Sequence, residues 1–324
     1  MSFSTVPVRS NGDTVTASWW NTLRTQGIAV EASILDPNPT RIQKFTSGSG
    51  TYNPTYLFLI ATGSATAAAT YTNNSVTFTV TETIASGTIL AATGSSIPSD
   101  SGTLTKTAGT GDATLTFSRY WSPVYLKVHV VGGGAGGCGS ADATSNGGLG
   151  GAGANTTFGS SFLTAAGAAT QAANSQGGLG GAPSALPSGV FGHLMTGTGG
   201  HGTLSHQAGG ASFFLSVNGG AGPFGGCGTS NGVTTGGSAP ANSGGGGGGA
   251  VYWGTGYNGS SGGSGAYIYA FIRASVLVTG SPNPYTFSYS VGAGGTAGTA
   301  GSGASAAAGG AGGSGIIIVE EYYQ

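Results

Sequence analysis

The sequence predicts a mainly β protein in three parts: a short N-terminal helix, a small β-sandwich module, and a β-sandwich framework carrying long glycine-rich loops of polyglycine-II type. Three observations carry this. Short β-branched and aromatic runs recur from residue 44 onward, separated by Gly, Ser, Asn and Pro. Glycine accounts for 68 of 324 residues, roughly three times its ordinary share. Charged residues make up only 5%, with a net charge of −1 and no Asp, Glu, Lys or Arg between Ala143 and Ile272.

Residues 1–43 hold the clearest helix pattern. Asp13 can cap, Val15, Trp19 and Leu23 recur on one face, and Gly27 suits the position after the last turn. Two adjacent tryptophans on so short a helix need a larger surface to bury them. That surface is either the next domain of the same chain or a partner.

Residues 44–122 change to strands. "TYLFLIAT", "SVTFTVTET", "GTILAAT", "GTLTKTA" and "ATLTFS" are bounded by turn residues, and Val76, Phe78 and Val80 alternate with Thr77, Thr79 and Thr81. One face is apolar and the other hydroxylic, as a small all-β module requires. With few charges to protect the edges, association with other copies is expected.

Residues 123–324 open on "YLKVHVVGGGAGGCG" and close on "SGIIIVEEYYQ", with "GAYIYAFIRASVLVTG" and "YTFSYSVGAGG" between them. Strands thus bracket the glycine-rich stretches. Those stretches are too long for structureless loops, and "SNGGLGG" at Ser145 returns as "SQGGLGG" at Ser175, which implies stacked equivalent passes. Glycine suits such passes because a polyproline-II-like helix has three residues per turn and leaves its amides free to bond sideways. Where Gly faces each neighbour, backbones can lie side by side, and Leu149, Leu179 and Phe224 then mark outward positions or turn ends. The six glycines Gly244 to Gly249, followed by Val251, Tyr252 and Trp253, are read as such a strut.

Composition also excludes several classes. Intrinsic disorder expects high net charge and few aromatics, collagen a strict G-X-Y period, and nucleic-acid binding a basic footprint; the chain has none of these. It shows no apolar run near 18 residues and no leader pattern, so neither membrane insertion nor secretion is expected. No cofactor or metal is expected: Cys138 and Cys227, in "GGCGS" and "GGCGT", lack clustered partners and read as packed thiols, although pairing stays open. No P-loop is present. "GSSGG" around Ser261 lacks the helix, His and acid of a nucleophile elbow, and no spacing pairs Asp100, Asp112, Asp142, Glu320 or Glu321 for glycoside hydrolysis. The chain is therefore expected not to be an enzyme. Candidate receptor contacts are Tyr252, Trp253 and Tyr257, with His193 and His201; the plainer readings are that the aromatics fill gaps and the histidines are polar loop residues.

"RIQKFTSGSGTYNPT", "YTNNSVTFTV", "SGTLTKTAGTGDATLTFS", "SPVYLKVHVVGGGAGG", "YSVGAGGTAGTAG" and "GIIIVEEYY" together resemble modules of glycine-rich tail-fibre and receptor-binding (adhesin) proteins of bacteriophages. "GDTVTASWWNTLRTQGI" is similar to N-terminal segments of phage virion proteins. The resemblance implies a homotrimeric fibre at the virion surface, on tail or capsid. It would join other virion structural proteins through Trp19, Trp20 and Leu23, and recognise a host surface glycan or outer-membrane protein through its glycine-rich domain. The chain departs from a long fibre in lacking a coiled coil or shaft. A decoration or head fibre is the alternative, and an embedded depolymerase the lesser one.

Overall fold

The computed structural model describes residues 40–55, 58–73, 76–80, 83–91, 102–121, 123–142, 147–169, 177–198, 217–230, 235–252, 256–273 and 286–323. Among these the protein is mainly β, built from several antiparallel sheets, with no helix. The expected N-terminal helix, with Trp19, Trp20 and Leu23, lies outside the described residues, as do Trp253 and His201. The chain divides into two compact units, one on Leu57–Ser122 and the other on Arg41–Tyr56 with Pro123–Tyr322.

Strands β1 (Thr40–Phe45) and β2 (Ser49–Tyr52) join the sheets of the second unit. The first unit holds β3 (Phe58–Thr62), β4 (Thr70–Asn73), β5 (Val76–Thr79), β6 (Ile89–Ala91), β7 (Gly102–Ala108) and β8 (Thr114–Trp121). They form one six-stranded sheet in the order β5-β4-β7-β8-β3-β6. Threonine alternation selects its inner face: Leu104 and Leu115 pair across β7 and β8 and are both buried, while Thr103, Thr105 and Thr114 are exposed. The edge strands β5 and β6 are consecutive, and the chain joining them bonds to residues 65–69. Ala65 and Ile84 exchange bonds of 2.9 and 2.8 Å, and Val80 donates to Ala69 at 2.9 Å. Those bonds pair the backbone of the two connecting segments with each other.

The second unit adds β9 (Pro123–Val131), β10 (Ala141–Asp142), β11 (Thr156–Phe158), β12 (Leu163–Ala165), β13 (Phe191–Met195), β14 (Gly256–Tyr257), β15 (Tyr267–Arg273), β16 (Phe287–Ser290) and β17 (Ile316–Tyr323). A five-stranded sheet has the order β1-β17-β9-β15-β13, a four-stranded sheet the order β12-β11-β16-β2, and β10 pairs with β14. β11 and β12 pack on β9, and β12 also on β15. Strand period sets what lies at the core: Leu126, Val128 and Val130, Ile268, Ala270 and Ile272, and Ile317 and Val319 are buried. Tyr52, Phe158 and Leu163 of the four-stranded sheet are buried too, with the Phe158 and Phe287 rings stacked at 4.6 Å. Each such Val, Leu, Ile or Phe contributes about 1.5–3 kcal/mol by leaving water.

β9 runs directly into glycine, and residues 132–140 become the axis of a bundle. Their amides donate in rotation to three passes. Gly132, Ala135 and Cys138 bond Ala266, Gly263 and Ser260 at 2.9, 2.9 and 2.7 Å; Gly133, Gly136 and Gly139 bond Ala154, Gly151 and Gly148 at 3.0, 2.9 and 2.9 Å; Gly134, Gly137 and Ser140 bond Gly313, Gly310 and Ala307 at 2.9, 2.8 and 2.8 Å. Acceptor numbers fall as donor numbers rise, so all three neighbours run antiparallel. The carbonyls accept from three further passes: Gly134 from Gly295, Ala135 from Gly247 and Gly133 from Ala168, at 2.8, 2.9 and 2.9 Å. One pass therefore has six neighbours, and all of residues 132–140 are buried with their amides paired, as burial demands.

The six-glycine stretch lies in the same interior. Gly246 donates to Gly220 and accepts from Gly228, both at 2.8 Å, while Gly247 donates to Ala135 and accepts from Gly262 at 2.9 and 2.8 Å. A Cβ on Gly246 would fall far inside 3.0 Å of the Gly262 carbonyl oxygen, a distance that real Cβ atoms do not tolerate against backbone. The two "GGLGG" repeats both donate every third amide to one neighbour but in opposite senses: Gly148 and Gly151 to Thr299 and Thr296 of an antiparallel pass, Gly178 and Gly181 to Ser261 and Ser264 of a parallel one. Leu149 and Leu179 stand outward with 55% and 67% of their surface exposed.

Candidate functional site

The bundle has two ends with different chemistry. At the end where residues 132–140 run into β10, Ala141 pairs with Tyr257 and Asp142 with Gly256. Asp142 donates its amide to the Ser302 carbonyl at 2.8 Å and accepts the Ser302 hydroxyl on Oδ1 at 2.8 Å. The Tyr252 amide donates to Asn258 Oδ1 at 2.7 Å. Its half-buried ring fills the room left by the missing side chains of Gly256 and Gly303, either of which would collide with it if given a Cβ. Tyr252 therefore seals this end of the bundle. Tyr257 on the same ribbon is exposed and offers its ring to solvent.

His193 lies elsewhere. It stands opposite Tyr269 on β15, which in turn stands opposite His129 on β9. Nine extended residues, 132–140, separate the end of β9 from β10, a span of roughly 30 Å. The structure brings Tyr252 and Tyr257 together and keeps His193 apart from them.

The outer face of the five-stranded sheet carries a linked set of side chains that sequence reasoning did not single out. Tyr125 is stacked between Phe271 and Tyr322, with ring centres 4.5 and 4.4 Å away. Lys127 Nζ donates to the Tyr322 hydroxyl at 2.7 Å and lies 4.4 Å from that ring's centre. The Tyr322 hydroxyl donates to Glu320 Oε2 at 2.8 Å, and Glu320 Oε1 is 3.6 Å from His129 Nε2. His129 Nδ1 is 2.8 Å from the Tyr267 hydroxyl, and Phe224 stands edge-on to both rings at 5.8 and 5.7 Å. The available signal was period two in "YLKVHVV" and "YIYAFIR", where every second residue is aromatic or charged. Reading those runs only as strands passed over it.

Position sets the protonation of these groups. Burial holds the His129 imidazole below its ordinary value, with the Glu320 carboxylate pulling the other way. Burial likewise raises the Tyr267 phenol, helped by Tyr269 and Glu320. Donation to Tyr322 raises the Lys127 ammonium, so the cation is held in place. The linked set thus places the Lys127 ammonium and the His129 imidazole on either side of Glu320 among aromatic rings.

Other sequence candidates fall in different surroundings. Ser261 is 1% exposed inside the bundle, so its hydroxyl has no route to a substrate. Glu320 and Glu321 are adjacent on β17 and face opposite sides, Glu321 inward with no exposure, so they cannot flank one substrate. Cys138 and Cys227 form no disulfide, and the first is buried beside Ser260 Oγ at 3.1 Å. Among the described residues, no three His, Cys, Asp or Glu side chains gather into a group able to hold a metal ion. Comparison with family models, with curated proteins and with solved structures gives no match.

Proposed function

We propose that this chain is a non-enzymatic bacteriophage fibre adhesin, a homotrimer attached to the particle through residues 1–43 and facing the host with its glycine-rich domain. In this reading the bonded passes are polyglycine-II rods, which have three residues per turn and bond sideways. The observation that supports it is the threefold rotation of hydrogen bonds along residues 132–140, repeated in the six-glycine pass. Such a bundle spends its backbone amides internally, so recognition falls to side chains at its turns. Tyr257, exposed on the ribbon at the far end, is the contact assigned to a surface glycan or outer-membrane protein; tyrosine gives a large contact area at low entropic cost.

Labelled full-length chain applied to host cells tests this. Saturable binding, reduced about tenfold or more by Tyr257→Ala with an unchanged melting temperature, is the expected result. Ordered copies on the particle without saturable binding would instead identify a structural decoration. Release of oligosaccharide from purified host polysaccharide would identify a depolymerase.

A further inference from the structure

The polar contacts on the outer face of the five-stranded sheet converge on Glu320 from two sides. On one side Lys127 Nζ donates to the Tyr322 hydroxyl, which donates to Glu320 Oε2. On the other, Glu320 Oε1 lies 3.6 Å from His129 Nε2, and His129 Nδ1 lies 2.8 Å from the Tyr267 hydroxyl. A neutral imidazole carries one hydrogen, and the nitrogen without it can only accept. The carboxylate oxygen facing Nε2 favours the hydrogen there, because a bare nitrogen would set lone pairs against lone pairs. Nδ1 is then the acceptor, and the hydrogen in its 2.8 Å contact belongs to Tyr267.

We propose that His129 and Tyr267 form a proton switch: uptake of a proton from solvent at Nδ1 reverses their hydrogen bond, and the Tyr267 hydroxyl turns from donor to acceptor. An imidazolium donates from both nitrogens, so the hydroxyl can no longer point its hydrogen at the ring. Phe224, edge-on to both rings at 5.8 and 5.7 Å, offers that hydrogen no polar acceptor. The titratable groups around the imidazole are Glu320 on β17, Lys127 on its own strand, and Tyr267 and Tyr269 on β15. The turn bearing Phe224, residues 222–225, has none, and His193 on β13 lies beyond the Tyr269 ring. Burial and Lys127 oppose the imidazolium while Glu320 favours it, and burial prevails, so the switch operates below the ordinary imidazole value. Acid thus adds to this face one positive charge and one hydroxyl hydrogen turned away from His129. The device is independent of the adhesin reading.

Heteronuclear NMR of the full-length chain with isotopically labelled histidine tests this, the His129 signals being identified by their loss in His129→Gln. At about pH 8, above the ordinary imidazole value, Nε2 is expected to carry the hydrogen and Nδ1 to be bare. In acid a hydrogen on Nδ1 is expected to appear, and to exchange with solvent about tenfold more slowly in the parent than in Tyr267→Phe, where it has no acceptor. Glu320→Gln is expected to lower the protonation constant of His129 about tenfold. A hydrogen on Nδ1 at the alkaline end, equal exchange in the parent and Tyr267→Phe, or an unchanged protonation constant in Glu320→Gln would each overturn the proposal. The tautomer is read in the parent protein itself, so that arm does not depend on any variant folding.

Discussion

Glu321 accepts the hydroxyl hydrogen of Tyr52 at 3.0 Å, and neither residue has any exposed surface. The carboxylate also accepts from Gln43 Nε2 at 2.6 Å and from the Thr55 amide at 2.9 Å. Its donors come from β1, β2 and the turn after them, so a single inward acid on β17 fastens residues 41–56 to the glycine-rich unit. Burying a carboxylate is tolerable only with this many donors.

Removal of that acid takes an acceptor from the buried Tyr52 hydroxyl, the Thr55 amide and Gln43 Nε2, of which the last still reaches the Asn53 carbonyl at 2.8 Å. Glu321→Ala is expected to cost about 1–3 kcal/mol, read as a lower midpoint in denaturant. Glu320→Ala, on the exposed side of the same strand, should cost less than about 1 kcal/mol.

Glycine is required inside the bundle and optional at its margin. Gly246→Ala drives a methyl into the Gly262 carbonyl and is expected to prevent cooperative folding, whereas Gly226→Ala, with nothing within 4 Å of the new Cβ, should melt as the parent does. Thermal unfolding followed by circular dichroism distinguishes the two. Equal melting would overturn the packed bundle.

Acid should weaken the fold before its carboxylates titrate. The folded His129 imidazole lies below its ordinary value, so the unfolded chain takes up the proton first, and stability is lost as pH falls from the unfolded value down through the folded one. The melting temperature is expected to start falling as pH drops through the ordinary imidazole value of about 6.5. His129→Gln should flatten that part of the profile.

The two tyrosines at the far end should separate into packing and contact. Tyr252→Ala empties the space over Gly256 and Gly303 and is expected to destabilise by about 1–3 kcal/mol. Tyr257→Ala should leave the melting temperature within a degree or two. A shared loss of stability would mean that both rings pack.

Much was legible without coordinates because it depends on local pattern. Alternation in "YLKVHVV" and "IIIVEEYY" announces strands, since side chains on a pleated backbone change face at every residue. The glycine content likewise required passes whose amides bond to something, because buried backbone must be paired. By itself the sequence therefore determined a mainly β chain, its strand-forming runs and the outward Leu149 and Leu179 of its repeats. It did not determine which pass lies against which. Glycines carry no side chain to mark a partner, so only the tertiary structure decides that Gly246 meets Gly220 and Gly228 while Gly247 meets Ala135. Nor could spacing reveal that Tyr257 and His193 lie at opposite ends of residues 132–140, or that Glu321 turns inward to Tyr52. Those relations join residues up to 269 positions apart, and nothing in the chain's local pattern encodes them.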